Sequence, residues 1–190
     1  FFIFSWHTDF KEEFIKRLTP KVIKLIPQIE FKMPNHLKVV KSHDTGQIIP
    51  GNHKRLVAHY SRWYGFKEVM KLVDEYEKEN GFEYDLVISA RFDICWNRPY
   101  YFNKLDTNKF HIPIHPDMPT YGWPDGGVHT NVEILDHIFA SKSSWMKGYS
   151  SMFDFLDEYT LPSQSPQWNT ISNHFLMVWH LRKLGLLSDN

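Results

Sequence analysis

Apolar and polar positions along this chain alternate between a period of two and a period of three to four, the mark of strands interleaved with helices. Phe1 to Trp6 (FFIFSW) is continuously apolar and aromatic and predicts a strand that is already under way at the first residue. Asp9, with Glu12 three residues later, forms a capping-box pattern for a helix whose apolar face carries Phe10, Phe14, Ile15 and Leu18. Pro20 is expected to kink or restart that helix and Pro27 to end it. His36 to Lys41 (HLKVVK) reads as a short strand, and Ser42 to Asn52 as a loop rich in turn formers.

The longest helical pattern runs from about His53 to Asn80, with Leu56, Tyr60, Trp63, Phe66, Met70 and Val73 spaced by threes and fours. On its solvated side Lys71 with Glu75, and Asp74 with Lys78, have the spacing of ion pairs, and Asn80-Gly81 supplies a stop. Tyr84 to Asp93 (YDLVISARFD) follows directly as a strand. Its unbroken Leu86-Val87-Ile88 run predicts burial on both faces, as in a parallel sheet covered by helices. Strand, helix and strand in this order predict right-handed parallel crossovers, hence an α/β fold with a mostly parallel central sheet and helices on both faces.

Further along, Lys109 to Ile114 (KFHIPI) has the form of an edge strand, because Pro113 cannot donate to a ladder. His115 to Thr130 holds three prolines and three glycines and reads as an irregular wall. Val132 to Ala140 reads as another strand. Ser141 to Tyr159 returns to helix, with Trp145, Tyr149, Met152, Phe153 and Leu156 on one face. Ser165-Pro166 opens a last helix bearing Trp168, Ile171, Phe175 and Val178, and Gly185 stops it.

Composition narrows the partners. Lys plus Arg and Asp plus Glu number 22 each, so no net field exists to hold nucleic acid or an anionic membrane. No apolar run approaches the roughly 20 residues of a membrane span, and no secretory leader pattern is visible. A single cysteine, Cys95, excludes an internal disulfide and fits a reducing, cytoplasmic setting. With 190 residues one domain with a full core is expected, and the strand-like start suggests that an earlier strand is missing. The 31 aromatic residues (7 Trp, 9 Tyr, 15 Phe) indicate a thick core first and platforms for sugars second.

Candidate chemistry collects at the end of the Tyr84 to Asp93 strand. Period-two alternation puts Arg91 and Asp93 on one face at its carboxyl end, where open α/β sheets bind ligands. A plain ion pair closing the strand is the structural alternative. The eleven histidines invite a metal reading: Gly51-Asn52-His53 with His43 and Asp44 nearby resembles a fragment of a dinuclear phosphoesterase signature. The remaining parts of that signature are not visible, and His111, His115 and Asp117 are interrupted by prolines. His174 and His180 are six apart on a helix and read as ordinary polar-face residues. Glycine-rich phosphate loops and a nucleophile elbow are also missing from the sequence.

Taken in order, EYEKENGFEYDLVISARFD, the proline-rich wall and LDHIFASKSSWMKGYSSMFDFL resemble a group of small GT-A-type glycosyltransferases of bacteria and large viruses. In that group a Tyr-Asp strand closes in Arg-x-Asp and a later Asp precedes a helix with a Trp-Met pair. FFIFSWHTD is similar to the group's second strand. The resemblance implies a Rossmann-like GT-A domain over residues 1–190 that transfers a sugar from a nucleotide-sugar donor to a glycan acceptor. It puts Asp93 in the place of the metal-binding Asp-x-Asp, with Arg91 standing where the first acid would be. Mn²⁺ or Mg²⁺ at Asp93 is the implied cofactor.

Within that resemblance, Arg91, Asp93, Lys54, Arg55 and Arg62 are expected at the donor, whose departing diphosphate needs positive charge. Asp136, then Glu133 or Asp125, is the expected base for the acceptor hydroxyl, with Asp93 beside it in the chemistry. Tyr121, Trp123, Asp125, His129 and His137 are expected around the acceptor sugar, where aromatic rings stack on apolar sugar faces. Two alternatives belong to other classes: a metallophosphoesterase-like hydrolase and a non-catalytic carbohydrate-binding domain.

Overall fold

The structure, a computed structural model, describes residues 1–32, 34–37, 39–41, 48–50, 53–92, 101–113, 137–161 and 173–187. In chain order the elements are β1 (Phe2–Ser5), α1 (Lys11–Leu18), β2 (Val22–Leu25), β3 (Val39–Lys41), β4 (Ile48–Pro50), α2 (His53–Asn80), β5 (Val87–Ala90), β6 (Ile138–Ser141), α3 (Ser143–Ser150), α4 (Met152–Tyr159) and α5 (Asn173–Lys183). The fold is mixed α/β. Its described strands pair as three two-stranded sheets: β1 with β2 in parallel, β3 with β4 and β5 with β6 antiparallel. Two compact units form, one of Phe1–Phe82 and Ser150–Ile171, the other of Glu83–Tyr149 and Ser172–Asn190.

The first unit begins with a strand-helix-strand crossover shorter than its prolines suggested. Thr19 adopts a left-handed conformation (φ 42°) and donates its N–H to the Ile15 carbonyl at 3.1 Å, so α1 stops at Leu18 instead of continuing past Pro20. The β-branched Val22 and Ile23 then pair with Phe2 and Ile3 as a strand. Asp9 is not the helix cap: it lies in a 3-10 turn, Thr8–Phe10, and Phe10 precedes α1 without a side-chain cap. The apolar face of α1 stays largely in water, with Phe10 54% and Ile15 41% exposed.

Helix α2 is the spine of this unit. All six residues of its predicted apolar face are buried. Gly65 lets β1 lie close against it, since a Cβ there would sit 3.3 Å from the Phe4 ring. Phe2 meets Tyr76 edge-on at 5.4 Å, and Trp6 stacks on Tyr64 at 5.5 Å. From α4, Phe153 meets Tyr64 edge-on, and Asp157 accepts a 2.5 Å hydrogen bond from the buried Tyr60 hydroxyl. Another tie joins His36 Nε2 to Thr160 Oγ1 at 2.8 Å.

A buried acid also holds α2. Glu68, only 4% exposed, accepts from Lys24 Nζ of β2 at 2.5 Å and from Lys71 Nζ at 3.1 Å. Lys71 therefore turns back to Glu68, not forward to Glu75, while the expected Asp74–Lys78 pair forms at 2.5 Å. The helix ends as its Asn-Gly step predicts. Gly81 takes φ +69°, the Phe82 N–H reaches back to the Glu77 carbonyl at 3.2 Å, and the Phe82 ring covers Tyr76.

In the second unit β6 is the inner strand. Phe139 and Ser141 are fully buried, whereas Ile88 is 38% exposed on β5 and Ala90 is exposed as well. The two-sided burial read from Leu86-Val87-Ile88 is thus corrected. Val87 and Ile88 of that run belong to a short strand whose Val87 and Ser89 side is the less exposed one, and the run's apolar character does not report a second covering layer. The helix predicted from Ser141 to Tyr159 is two, α3 and α4, separated at Ser151. Helix α5 ends with Gly185 at φ +67°, the Leu186 N–H on the Leu181 carbonyl and the Gly185 N–H on the Arg182 carbonyl. His180, read as a polar-face residue, is instead fully buried.

Candidate functional site

Backbone pairing at the end of β5 brings two of the predicted site residues together. The β5–β6 register sets Val87 against Ser141, Ser89 against Phe139 and Ala90 against Ile138. One step further on, the Arg91 N–H donates to the His137 carbonyl at 3.1 Å. The paired strands end one step earlier, at Ala90 and Ile138, and this main-chain bond ties Arg91 to His137 just past them. Arg91 is half-buried there and His137 is exposed.

The support beneath this end is firm. Phe139 packs edge-on against Tyr149 at 5.3 Å, and Tyr149 in turn meets Phe110 at 4.9 Å and His180 at 5.8 Å. On the far side of β6, His111 exchanges two backbone bonds with Ala140, at 2.8 and 3.0 Å. Of the edge strand expected of KFHIPI, the described residues form this isolated bridge alone. The His111 ring donates through Nε2 to the Asp106 carbonyl at 2.7 Å, and Ser141 Oγ donates to the Lys109 carbonyl at 3.0 Å. His111 is thereby a structural histidine, as its proline-interrupted surroundings suggested.

The chemistry of the described pair suits an anion. A guanidinium keeps its charge at any working pH and offers only donors. The imidazole of His137, just past the start of β6, is a further hydrogen-bonding group at this end of the sheet. A divalent cation does not fit this pair, because Arg91 cannot ligate one. Among the described residues no group of three His, Cys, Asp or Glu side chains is arranged to hold a metal ion.

Other predicted site residues are distributed as follows. Lys54 and Arg55 occupy the first turn of α2, of which His53 is the first residue. Arg62, two turns later, is half-buried with its guanidinium carbon 5.8 Å from the centroid of the Trp63 ring. Asp93, Asp136, Glu133, Tyr121, Trp123, Asp125 and His129 lie outside the described residues, as do His43 and Asp44. Trp145, read as a core residue, is half-buried, with Lys142 Nζ 4.2 Å from the centre of its ring.

Sequence reasoning assigned Arg91 and His137 to different substrates and did not foresee that their main chains are hydrogen-bonded. The available signal was the pairing of ISAR with HIFA as antiparallel neighbours, which neither strand announces alone. Comparison of the chain with protein-family models, with curated proteins and with solved structures finds no match.

Proposed function

We propose that this chain is a GT-A-type glycosyltransferase that moves a sugar from a nucleotide-sugar donor to a glycan acceptor. One observation supports it above the others: the β5–β6 pairing and a main-chain bond from Arg91 to the His137 carbonyl bring the basic end of β5, where a guanidinium suits an anionic group, to the start of β6. The parallel β1–α1–β2 crossover is the kind of unit from which the mostly parallel, Rossmann-like sheet of such enzymes is built.

In this reading Arg91 meets the donor's diphosphate and Asp93 orients the sugar-phosphate end. Asp136 takes the proton of the acceptor hydroxyl as its oxygen bonds to the anomeric carbon and the nucleoside diphosphate departs with the electrons of the broken C–O bond. Tyr121, Trp123, Asp125 and His129 hold the acceptor. Protein cations carry the phosphate charge, and no step is assigned to a metal ion.

The test is thermal-shift measurement with UDP-, GDP-, CMP- and dTDP-sugars, with and without Mn²⁺. At least one nucleotide is expected to raise the melting temperature, and Asp93→Ala to diminish the rise. A chain stabilised by none of them is not a nucleotide-sugar transferase.

A further inference from the structure

The carboxyl ends of β1 and β2 carry side chains that the transferase reading leaves unused. We infer that they form a glycan-binding subsite, in which one neutral sugar ring lies against the indole of Trp6 and is hydrogen-bonded by Gln28 and Ser61. The subsite goes beyond the transferase reading. It lies wholly in the first compact unit and draws on none of the residues assigned to the donor or the acceptor.

Strand pairing sets the place. β1 and β2 run in parallel, and after their last pair the Ile26 N–H donates to the Ser5 carbonyl at 3.2 Å. Trp6 and the segment from Ile26 to Phe31 thus emerge together at the carboxyl end, where parallel strands of α/β folds receive ligands. Trp6 stacks on Tyr64 of α2 at 5.5 Å, their planes 25° apart. Phe4 and Phe31 lie 4.9 and 6.3 Å from Trp6, yet also 5.9 and 5.8 Å from Tyr64. Distances this similar put all three rings on one side of the indole, so none of them covers its other face. Trp6 is half-buried, and its indole N–H has no hydrogen-bond partner among the described residues.

Polar groups stand one helical turn away. Ser61, three residues before Tyr64 on α2, accepts a 3.1 Å hydrogen bond from Gln28 Nε2, which also donates to the Ile29 carbonyl at 3.0 Å. Both amide hydrogens of Gln28 are thereby used and its Oε1 is left as an acceptor, while the Ser61 hydroxyl keeps a hydrogen to donate. Acceptor and donor side by side match two neighbouring hydroxyls of a sugar, and the C–H face of the ring suits the flat indole. The three residues are uncharged, which fits a neutral sugar and offers a phosphate no counter-charge.

Titration of the nitrogen-labelled full chain with maltohexaose, cellohexaose, chitohexaose and xylohexaose, read from the indole N–H signals in proton–nitrogen NMR spectra, tests the inference. The Trp6 signal is the one missing from Trp6→Phe, a variant that keeps a ring against Tyr64 and so preserves the packing. At least one saccharide is expected to move that signal saturably, while uridine and guanosine leave it in place. By isothermal titration, Trp6→Phe should weaken the saccharide about fivefold and Gln28→Ala, which replaces an exposed side chain, about threefold. Circular dichroism should show both variants folded. If no saccharide moves the Trp6 signal, if affinity is unchanged in either variant, or if a nucleoside moves the signal in preference to every saccharide, the inference is overturned. The transferase reading is judged by nucleotide-sugar stabilisation, so each can fail without the other.

Discussion

Glu68 and its two lysines allow a prediction in which the order of the effects matters more than their size. The carboxylate is inside, at 4% exposure, but the lysine side chains that hold it are 41% (Lys24) and 57% (Lys71) exposed. Deleting the acid and deleting the bases are therefore unequal perturbations. In Glu68→Leu the freed ammonium groups relax into water they already touch, and a buried polar group gives way to an apolar one. The cost is expected to stay within about 1 kcal/mol. In Lys24→Met, Lys71 still holds the carboxylate, and the loss should be about 2 kcal/mol. With Lys24→Met and Lys71→Met together the carboxylate is stranded, at about 3 to 5 kcal/mol.

Acid titration gives a second signature. Burial alone would raise the Glu68 carboxyl above its ordinary 4.5, but hydrogen bonds and charge from Lys24 and Lys71 more than offset it and hold it lower. A lowered folded value means that the stabilisation is complete above the unfolded value near 4.5 and is lost as pH falls through the folded one. In the double lysine variant burial acts unopposed, the folded value lies above the unfolded one, and the dependence reverses, stability being lost as pH rises. Urea unfolding followed by circular dichroism and tryptophan fluorescence, on either side of pH 4.5, measures both effects. Glu68→Leu costing as much as the double variant, or wild type and the double variant sharing one sign of pH dependence, would refute the reasoning.

Two more outcomes follow from local geometry. Gly81→Ala places a Cβ at φ +69°, where nothing lies within 4 Å to clash, so the loss should be purely conformational and about 1 to 2 kcal/mol in the urea midpoint. Tyr60→Phe removes the hydrogen bond to Asp157 and should cost about 1 to 2 kcal/mol. Burial, then that hydrogen bond, pushes the Tyr60 hydroxyl well above its ordinary 10.0, and burial does the same for Tyr159. Both contributions are present below pH 10.0 and lost as pH rises above it, so the alkaline limb of the stability profile should be shallower in Tyr60→Phe.

Helix α2 shows how much local pattern can carry. Its six-residue apolar stripe and its Asn-Gly stop needed no partner to be read, because a 3.6-residue period and a left-handed glycine are properties of the segment itself. The strand character of FFIFSW and VISAR was equally local. Elsewhere the local signal was overridden. Pro20 does not continue or restart a helix because Thr19 has already closed it, and β2 forms where β1 offers a parallel edge. Lys71 prefers the buried Glu68 to Glu75 because the acid inside the protein has more to gain from a partner.

Sequence by itself determined the alternation of strands and helices, the buried face of the longest helix, the balance of charge and the presence of a basic strand end at Arg91. Tertiary structure decided that β5 has an exposed face, that β6 is its antiparallel neighbour and that the main chain of Arg91 is bonded to that of His137. The physical reason is the range of the interactions. Periodicity and capping act within a turn or two of chain, whereas tertiary structure joins residues 46 positions apart in the sequence, Arg91 and His137, through a backbone bond that no side-chain pattern encodes.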